Sequence, residues 1–158
     1  MKYVSINALS DFEFHDAVCR FDAFEGQTLK LKVKHLNIHK NTAQNNSGTD
    51  MEIADALITL EGFDLLVYEV KGAQVQDEKG VWRSDKSKIV YNGEHALSRF
   101  LEQMRSDIIV YYMGTKDGAV YFMDASASAP FFTVFFAFER VTIEWNEYKG
   151  EAWYTSAP

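Results

Sequence analysis

One cysteine and two prolines in 158 residues set the first limits on this chain. A lone thiol, Cys19, cannot staple a disulfide scaffold. Nine glycines and two prolines exclude collagen-like and low-complexity classes. Apolar runs are short: the densest, residues 130–138, is less than half of the roughly 20 residues a membrane-spanning helix needs, so no membrane association is expected. Residues 1–11 hold a lone Lys2 and no apolar stretch of signal-peptide length, which makes a cytoplasmic, reduced compartment the expectation. Cations are scarce as well. Sixteen Lys and Arg against 23 Asp and Glu leave a net charge of −7. That field repels phosphate backbones, so no nucleic-acid partner is expected. What is plentiful is aromatic: 12 Phe, 8 Tyr and 3 Trp rule out a disordered chain. The length suits a single domain over 1–158.

Period-two alternation dominates. Leu29, Leu31 and Val33 share one face and Lys30, Lys32 and Lys34 the other, the mark of a half-buried strand. Lysines discourage edge-to-edge pairing, which points to an edge strand. The phase slips at His35, predicting a bulge or strand end there. Residues 17–24 pair with this strand through Glu25-Gly26-Gln27. Residues 39–50 read as a long mobile loop, and their glycosylation pattern Asn45-Asn46-Ser47 has no secretion signal to accompany it. Strands follow at 52–60 and 63–70, joined by a reversal at Glu61-Gly62, the second strand apolar on both faces. A charged stretch, 76–88, carries a turn at Lys79-Gly80.

One helix is predicted. Asn92 is its N-cap, Glu94 lies in the first turn, and Ala96, Leu97, Phe100, Leu101 and Met104 form an apolar stripe. Strands at 108–113 and 119–123 flank a turn at 114–118, and 125–129 is a small-residue connection. Residues 131–138 predict a central covered strand that runs on into a one-sided stretch ending at Trp145, with a hairpin return over 151–154. Eight to ten short strands with short turns imply antiparallel pairing. The expected fold is therefore α+β and mainly antiparallel, sandwich-like or partly closed barrel, with one amphipathic helix packed on the sheet.

Charge is segregated along the chain. Residues 28–49 carry only Lys30, Lys32, Lys34 and Lys40, whereas 50–69 carry only acids. Facing strands of opposite sign support register.

The chemistry-bearing residues do not gather in sequence. His15 and Asp16 could ligate metal, but no second ligand motif lies at metal spacing, and local hydrogen bonding accounts for the pair. Cys19 lies about 13 Å along a strand from His15, whereas a coupled thiol and imidazole need about 3 Å. His35 and His39 would suit zinc on a helix, not on a strand. His95 is expected to be exposed. Asp55 and Glu69 could pair for acid–base work only if strand pairing brought them together. Without a Cys-x-x-Cys motif, a nucleophile-elbow serine or a Gly-rich phosphate loop, no catalytic residue, cofactor or metal is expected. The aromatics, Trp145 and Trp153 included, read mainly as core. Trp82, alone in a polar segment beside Arg83, reads as a surface anchor. His15, Asp16, Trp82 and Arg83 make up the expected functional surface.

The run Phe14-His15-Asp16-Ala17, followed by the lysine-patterned strand and by Met51-Glu52-Ile53-Ala54-Asp55-Ala56-Leu57-Ile58, resembles a loose group of small β-rich bacterial proteins. These are mostly uncharacterised, open with an FHD-type motif and run into successive hairpins; some are similar to immunity proteins that neutralise toxins in interbacterial competition. The resemblance covers about the first half of the chain and carries no catalytic residue. It implies a bacterial, cytoplasmic, non-enzymatic role.

Three expectations follow. The first is a non-catalytic, immunity-type module that binds a protein partner with a basic surface. The second is a small-ligand carrier or enzyme with an aromatic-lined cavity. The third is a homo-oligomer joined through the 131–138 strand or the C-terminal hairpin.

Overall fold

The computed structural model describes residues 1–72, 74–84, 88–127 and 131–156. Among the described residues the fold is α+β: twelve strands form one antiparallel sheet, two more form a separate ribbon, and one helix packs on the sheet. Alternation in the lysine segment becomes a hairpin. Strand β3 (Val18–Glu25) pairs with β4 (Thr28–Ile38) across Gly26 and Gln27. Both turn residues have positive φ (54° and 63°), the backbone that matches the twist of two antiparallel strands. β4 is not an edge strand. Its other side pairs over its whole length with β5 (Met51–Glu61), and Lys34 faces Asp55 across that ladder. The lysines line the outer face of a central strand, while Leu29, Leu31 and Val33 are buried.

The slip at His35 is real, and β5 mirrors it. Leu36 and Ile38 are buried although they differ in parity from Leu29, Leu31 and Val33; across from them Ile53 is buried out of phase with Ala56, Ile58 and Leu60. Pairing nevertheless stays in one register, from Leu29↔Leu60 to Ile38↔Met51. Both strands therefore swap faces at the same level, around His35 and Ala54. His35 adopts φ +56°, and the Ala54 amide turns away to donate to the Glu147 carbonyl (3.3 Å).

A second irregularity closes the sheet on itself. Glu61-Gly62 does not make a hairpin: β5 continues through a bend into β6 (Asp64–Val70), and the two do not pair. Likewise 131–145 is not one straight strand. β12 (Phe131–Ala137) bends at Phe138 and Glu139 into β13 (Arg140–Trp145). The bends coincide, because Ala137↔Asp64 and Arg140↔Glu61 lie in one unbroken antiparallel register and the Glu139 amide donates to the Glu61 carbonyl (2.8 Å). Strands that switch direction together at a corner let a sheet curl over its own core. The path β13-β5-β4-β3-β10-β11-β12 thus returns to the bent strand it left, with β10 (Ile108–Lys116) and β11 (Val120–Ser126) completing it.

Helix α1 (Gly93–Gln103) covers β6. Ala96, Phe100 and Met104 are buried, as the apolar stripe predicts, but the Asn92 side chain makes no capping bond. Phe63, at the corner, packs against Phe24, Phe100 and Phe136 with ring centroids 5.7–6.4 Å apart. The inner faces enclose an apolar void of about 20 Å³, lined by Cys19, Leu31, Ile58, Phe63 and Phe136 among others. That is room for about one water molecule. No helix among the described residues is long and apolar enough to cross a membrane.

The remaining strands depart from expectation in instructive ways. β10 runs through Gly114, moving the turn to Asp117, Gly118 and Ala119. β12 is paired on both edges, to β11 and β6, so it cannot take a strand from another subunit. β6 is not covered on both faces, since Leu66 is exposed. β9 (Ile89–Tyr91) edges β6, and β1 (Tyr3–Ile6) edges β13. β14 (Tyr148–Glu151) does not return on β13; it extends the same flank of β5 beyond the slip. β2 (Phe12–Glu13) pairs the end of β4, and β7 (Gln74–Gln76) with β8 (Trp82–Ser84) makes the separate ribbon. The 39–50 loop is built around Asn45, which is 1% exposed and whose Nδ2 donates to the carbonyls of Ile38, His39 and Thr49. Of the expected 125–129 connection, residues 128 and 129 lie outside the described residues.

Candidate functional site

Beyond the slip, the outer face of β2, β4 and β5 is polar. Directly paired residues share a face, and here Glu13, Asn37 and Glu52 form one row across three strands. His35, within β4, and His39, just past its end, flank Asn37. His35 Nδ1–H donates to Glu52 Oε1 (2.7 Å), and His39 Nδ1–H to Asp50 Oδ2 (3.0 Å). Lys149 Nζ from β14 also donates to Glu52 Oε1 (2.9 Å). The 3-10 turn Trp153–Thr155 is tied to the same face: Ala152 N–H donates to the Asp50 carbonyl (2.9 Å) and the Tyr154 hydroxyl to Asp50 Oδ2 (2.8 Å).

These bonds fix the charge states of the acids. Burial favours protonated Asp50, but the Lys40 amide, His39 and the Tyr154 hydroxyl outweigh it and hold the carboxyl below its ordinary range. At Glu52 burial again pushes upward, and Lys149 with His35 outweighs it. Tyr154 is pushed up, first by burial and then by its bond to Asp50. Ionised carboxylates only accept, so each histidine must present Nδ1–H to its acid.

His15 and Asp16 form the turn between β2 and β3. His15 Nδ1–H donates to the Tyr111 carbonyl (2.8 Å), and its amide donates to Glu13 Oε1 (2.9 Å). The Asp16 amide donates to the Val110 carbonyl (2.9 Å) at φ +66°, a conformation aspartate tolerates better than most residues. Its carboxylate lies 3.6 Å from His15 Nε2. Asp16, His35, Glu52 and Trp153 then line one open groove of about 370 Å³. Two of the four, Asp16 and His35, hold left-handed backbone, and Trp153 is 55% exposed.

Trp82 and Arg83 lie elsewhere, on the separate ribbon. Trp82 is 66% exposed, and Arg83 Nε donates to Asp77 Oδ2 (2.7 Å). Among the described residues no hydrogen bond or ion pair joins them to His15 and Asp16. The Asp55–Glu69 pairing does not form: Asp55 faces Lys34, and Glu69 pairs with Lys88 (3.2 Å). Cys19 is fully buried, which pushes its thiol up to about 12 and leaves no nucleophile there. His95 is exposed on α1, and no group of three His, Cys, Asp or Glu among the described residues is placed to hold a metal ion.

Sequence reasoning passed over His35, Glu52, Asp50, Tyr154 and Trp153 as a group. The signal was present in part: His35, Asn37 and His39 alternate, as do Asp50 and Glu52, on either side of a loop. Trp145 is core as expected, stacked on Tyr3 (5.4 Å). Trp153 is not core; it is a wall of the groove. No protein-family model matches the chain, and no curated protein or solved structure is significantly similar to it.

Proposed function

We propose that this chain is a non-catalytic protein-binding module of immunity type, engaging a partner with a basic surface. The observation that carries the reading is the placement of tryptophan: Trp82 and Trp153 are both more than half exposed, although folding favours burying such rings. Trp and Arg are among the residues most enriched in interface hot spots. Asp16 stands beside Trp153 and Arg83 beside Trp82, so His15, Asp16, Trp82 and Arg83 are assigned to the docking surface with Trp153 added. The net charge of −7 supports a basic partner, because complementary fields speed association. The mechanism is occlusion, the module sitting over the partner's cationic centre.

The carrier reading needs an interior hollow of about 300 Å³ or more. The void between the inner faces, about 20 Å³, speaks against it, and the larger clefts, about 370–550 Å³, are open surface grooves.

Capture at low ionic strength tests the proposal. A specific protein should be retained and released as salt rises, and Trp82→Ala or Trp153→Ala should weaken the purified pair by about 2 kcal/mol. A monodisperse preparation that retains nothing at low salt, or a partner indifferent to both substitutions, overturns it.

A further inference from the structure

We infer that the groove between helix α1 and the β6–β9 edge binds a small phosphate monoester, its phosphoryl group held by Arg99, Arg105 and the Tyr68 hydroxyl. This is a second surface site, apart from the docking surface, and it goes beyond the protein-binding reading.

The chain has five arginines. Three lie within ion-pair distance of a carboxylate: Arg20 of Asp107 (4.0 Å), Arg83 of Asp77 (2.7 Å) and Arg140 of Glu61 (3.5 Å). Arg99 and Arg105 make no ion pair among the described residues, although acids outnumber Lys and Arg by 23 to 16, and both line one groove of about 550 Å³. Glu102 is the one acid on its wall and pairs with neither arginine, so the groove is locally positive in a chain of net charge −7. Arg99 lies over the Tyr91 ring, 4.7 Å from its centroid, a stack that holds the guanidinium plane and leaves its N–H edges to other acceptors. Tyr68 is the buried member of the group. It pairs with Tyr91 across β6 and β9, is 3% exposed and lines the same groove, yet its hydroxyl has no hydrogen-bond partner among the described residues. Buried hydroxyls are ordinarily bonded. Burial, and then Tyr91, pushes this one up to about 12 against the pull of Arg99, so at neutral pH it keeps a proton to donate.

The negative end of the helix does not cancel this charge, because its carbonyls are largely occupied. Phe100 accepts from the Met104 amide (3.0 Å), Glu102 from Arg105 (3.2 Å), Gln103 from Ser106 (3.3 Å), and Met104 from the Phe21 amide (2.7 Å). Two guanidinium forks and a hydroxyl, with Gln103 and Ser106 also on the wall, offer more donors than the two oxygens of a carboxylate can use. A phosphate monoester presents three oxygens and about two charges at pH 7. It accepts a fork from each arginine and the Tyr68 proton together, while Glu102 disfavours bulkier anions. Val70 and the open side leave room for a short carbon body.

Titration of the whole chain with glycerol 3-phosphate, with glycerate and with a blocked Gly-Gly-phosphoserine-Gly-Gly peptide tests the site. The readout is the pair of Arg99 and Arg105 Nε–H resonances, assigned by their disappearance in Arg99→Lys and Arg105→Lys. Glycerol 3-phosphate should shift both together and saturably, with a dissociation constant in roughly the millimolar range. Glycerate, with a carboxylate in place of the phosphate, should bind at least about tenfold more weakly. By calorimetry, Arg99→Lys, which keeps the charge and loses the fork, should weaken the phosphate about tenfold. Tyr68→Phe should weaken it about fivefold and leave the urea midpoint unchanged, since the hydroxyl it removes holds nothing within the fold. Arg83→Lys should change nothing. Glycerate that binds as well as glycerol 3-phosphate overturns the inference, as does the absence of a saturable shift. Full affinity in Tyr68→Phe overturns the role of the buried hydroxyl, and a phosphoserine peptide that binds more tightly than glycerol 3-phosphate overturns the small-molecule source.

Discussion

At the Gly62–Glu139 corner two strands bend together and keep their register; at the His35–Ala54 slip two others swap faces together and keep theirs. The materials differ. The corner is filled by Phe63, with Phe24, Phe100 and Phe136 around it, and it closes the core. The slip is filled by histidines and carboxylates, and it opens a groove. An irregularity sealed by apolar rings serves folding. One lined by polar groups leaves a groove open to solvent, and substitutions at the two should separate stability from surface chemistry.

The largest stability effect belongs to Phe63→Ala. Removing a buried ring that touches three others should cost about 3–5 kcal/mol in chemical denaturation, with no effect on groove chemistry beyond that of global unfolding. If the loss is under about 1 kcal/mol, the corner is not where the two halves of the sheet are held together. Gly62→Ala ranks next. Gly62 has φ +64°, and a Cβ there would lie 2.5 Å from Glu139 Cγ. The left-handed backbone alone should cost about 1–2 kcal/mol. Because Glu139 is exposed and can swing away, Gly62→Ala with Glu139→Ala should recover only a minor part. Full recovery would assign the cost to the clash and not to the backbone.

How much of this contrast was legible follows from what a local pattern encodes. Alternation in Leu29, Leu31 and Val33 and the helical stripe through Phe100 each reported which face a residue takes, because burial acts position by position; the 131–138 run, expected to be covered on both faces, leaves Phe131 exposed. The slip at His35 was legible for the same reason. The corner was not. Glu61-Gly62 has the residues of a reversal, and only long-range pairing with 137–140 reveals that the chain bends onward. Pairing partners are a property of closure, which no local window contains. The groove was half legible: His15 and Asp16 stood out, but Glu52 and Asp50 looked like ordinary outward carboxylates until the fold brought His35 and His39 within hydrogen-bond distance of them. Trp153 carries no periodic signal, so composition alone assigned it to the core. The 39–50 segment is a loop, as its polarity predicts, and Asn45 organises it by bonding three carbonyls.

The slip should reveal itself in acid. Asp50 and Glu52 titrate below their ordinary range in the folded chain. Between the folded and unfolded values the unfolded chain binds more protons, so stability rises with pH there. The contribution is complete above the unfolded values, near 4, and is lost as pH falls through the lower folded ones. In a series of urea denaturations, Asp50→Asn with Glu52→Gln should flatten the acid limb below about pH 4 relative to the parent chain. Phe63→Ala should lower the whole curve and leave its slope unchanged. An acid limb as steep in the double variant as in the parent would place the titrating groups elsewhere.

The smallest effect on stability is the most telling for function. Trp153 is 55% exposed, and its ring centroid lies 5.6 Å from that of its chain neighbour Tyr154. Trp153→Ala should therefore stay within about 0.5 kcal/mol of the parent in urea, an ordinary surface substitution. Trp145→Ala, which empties the site of a fully buried ring stacked on Tyr3, should cost about 3–5 kcal/mol. The two indoles lie eight residues apart and differ only in what surrounds them. If Trp153→Ala proves as costly as Trp145→Ala, its ring belongs to the core and the groove loses its wall. If it is silent in urea and still abolishes binding, its exposure serves recognition.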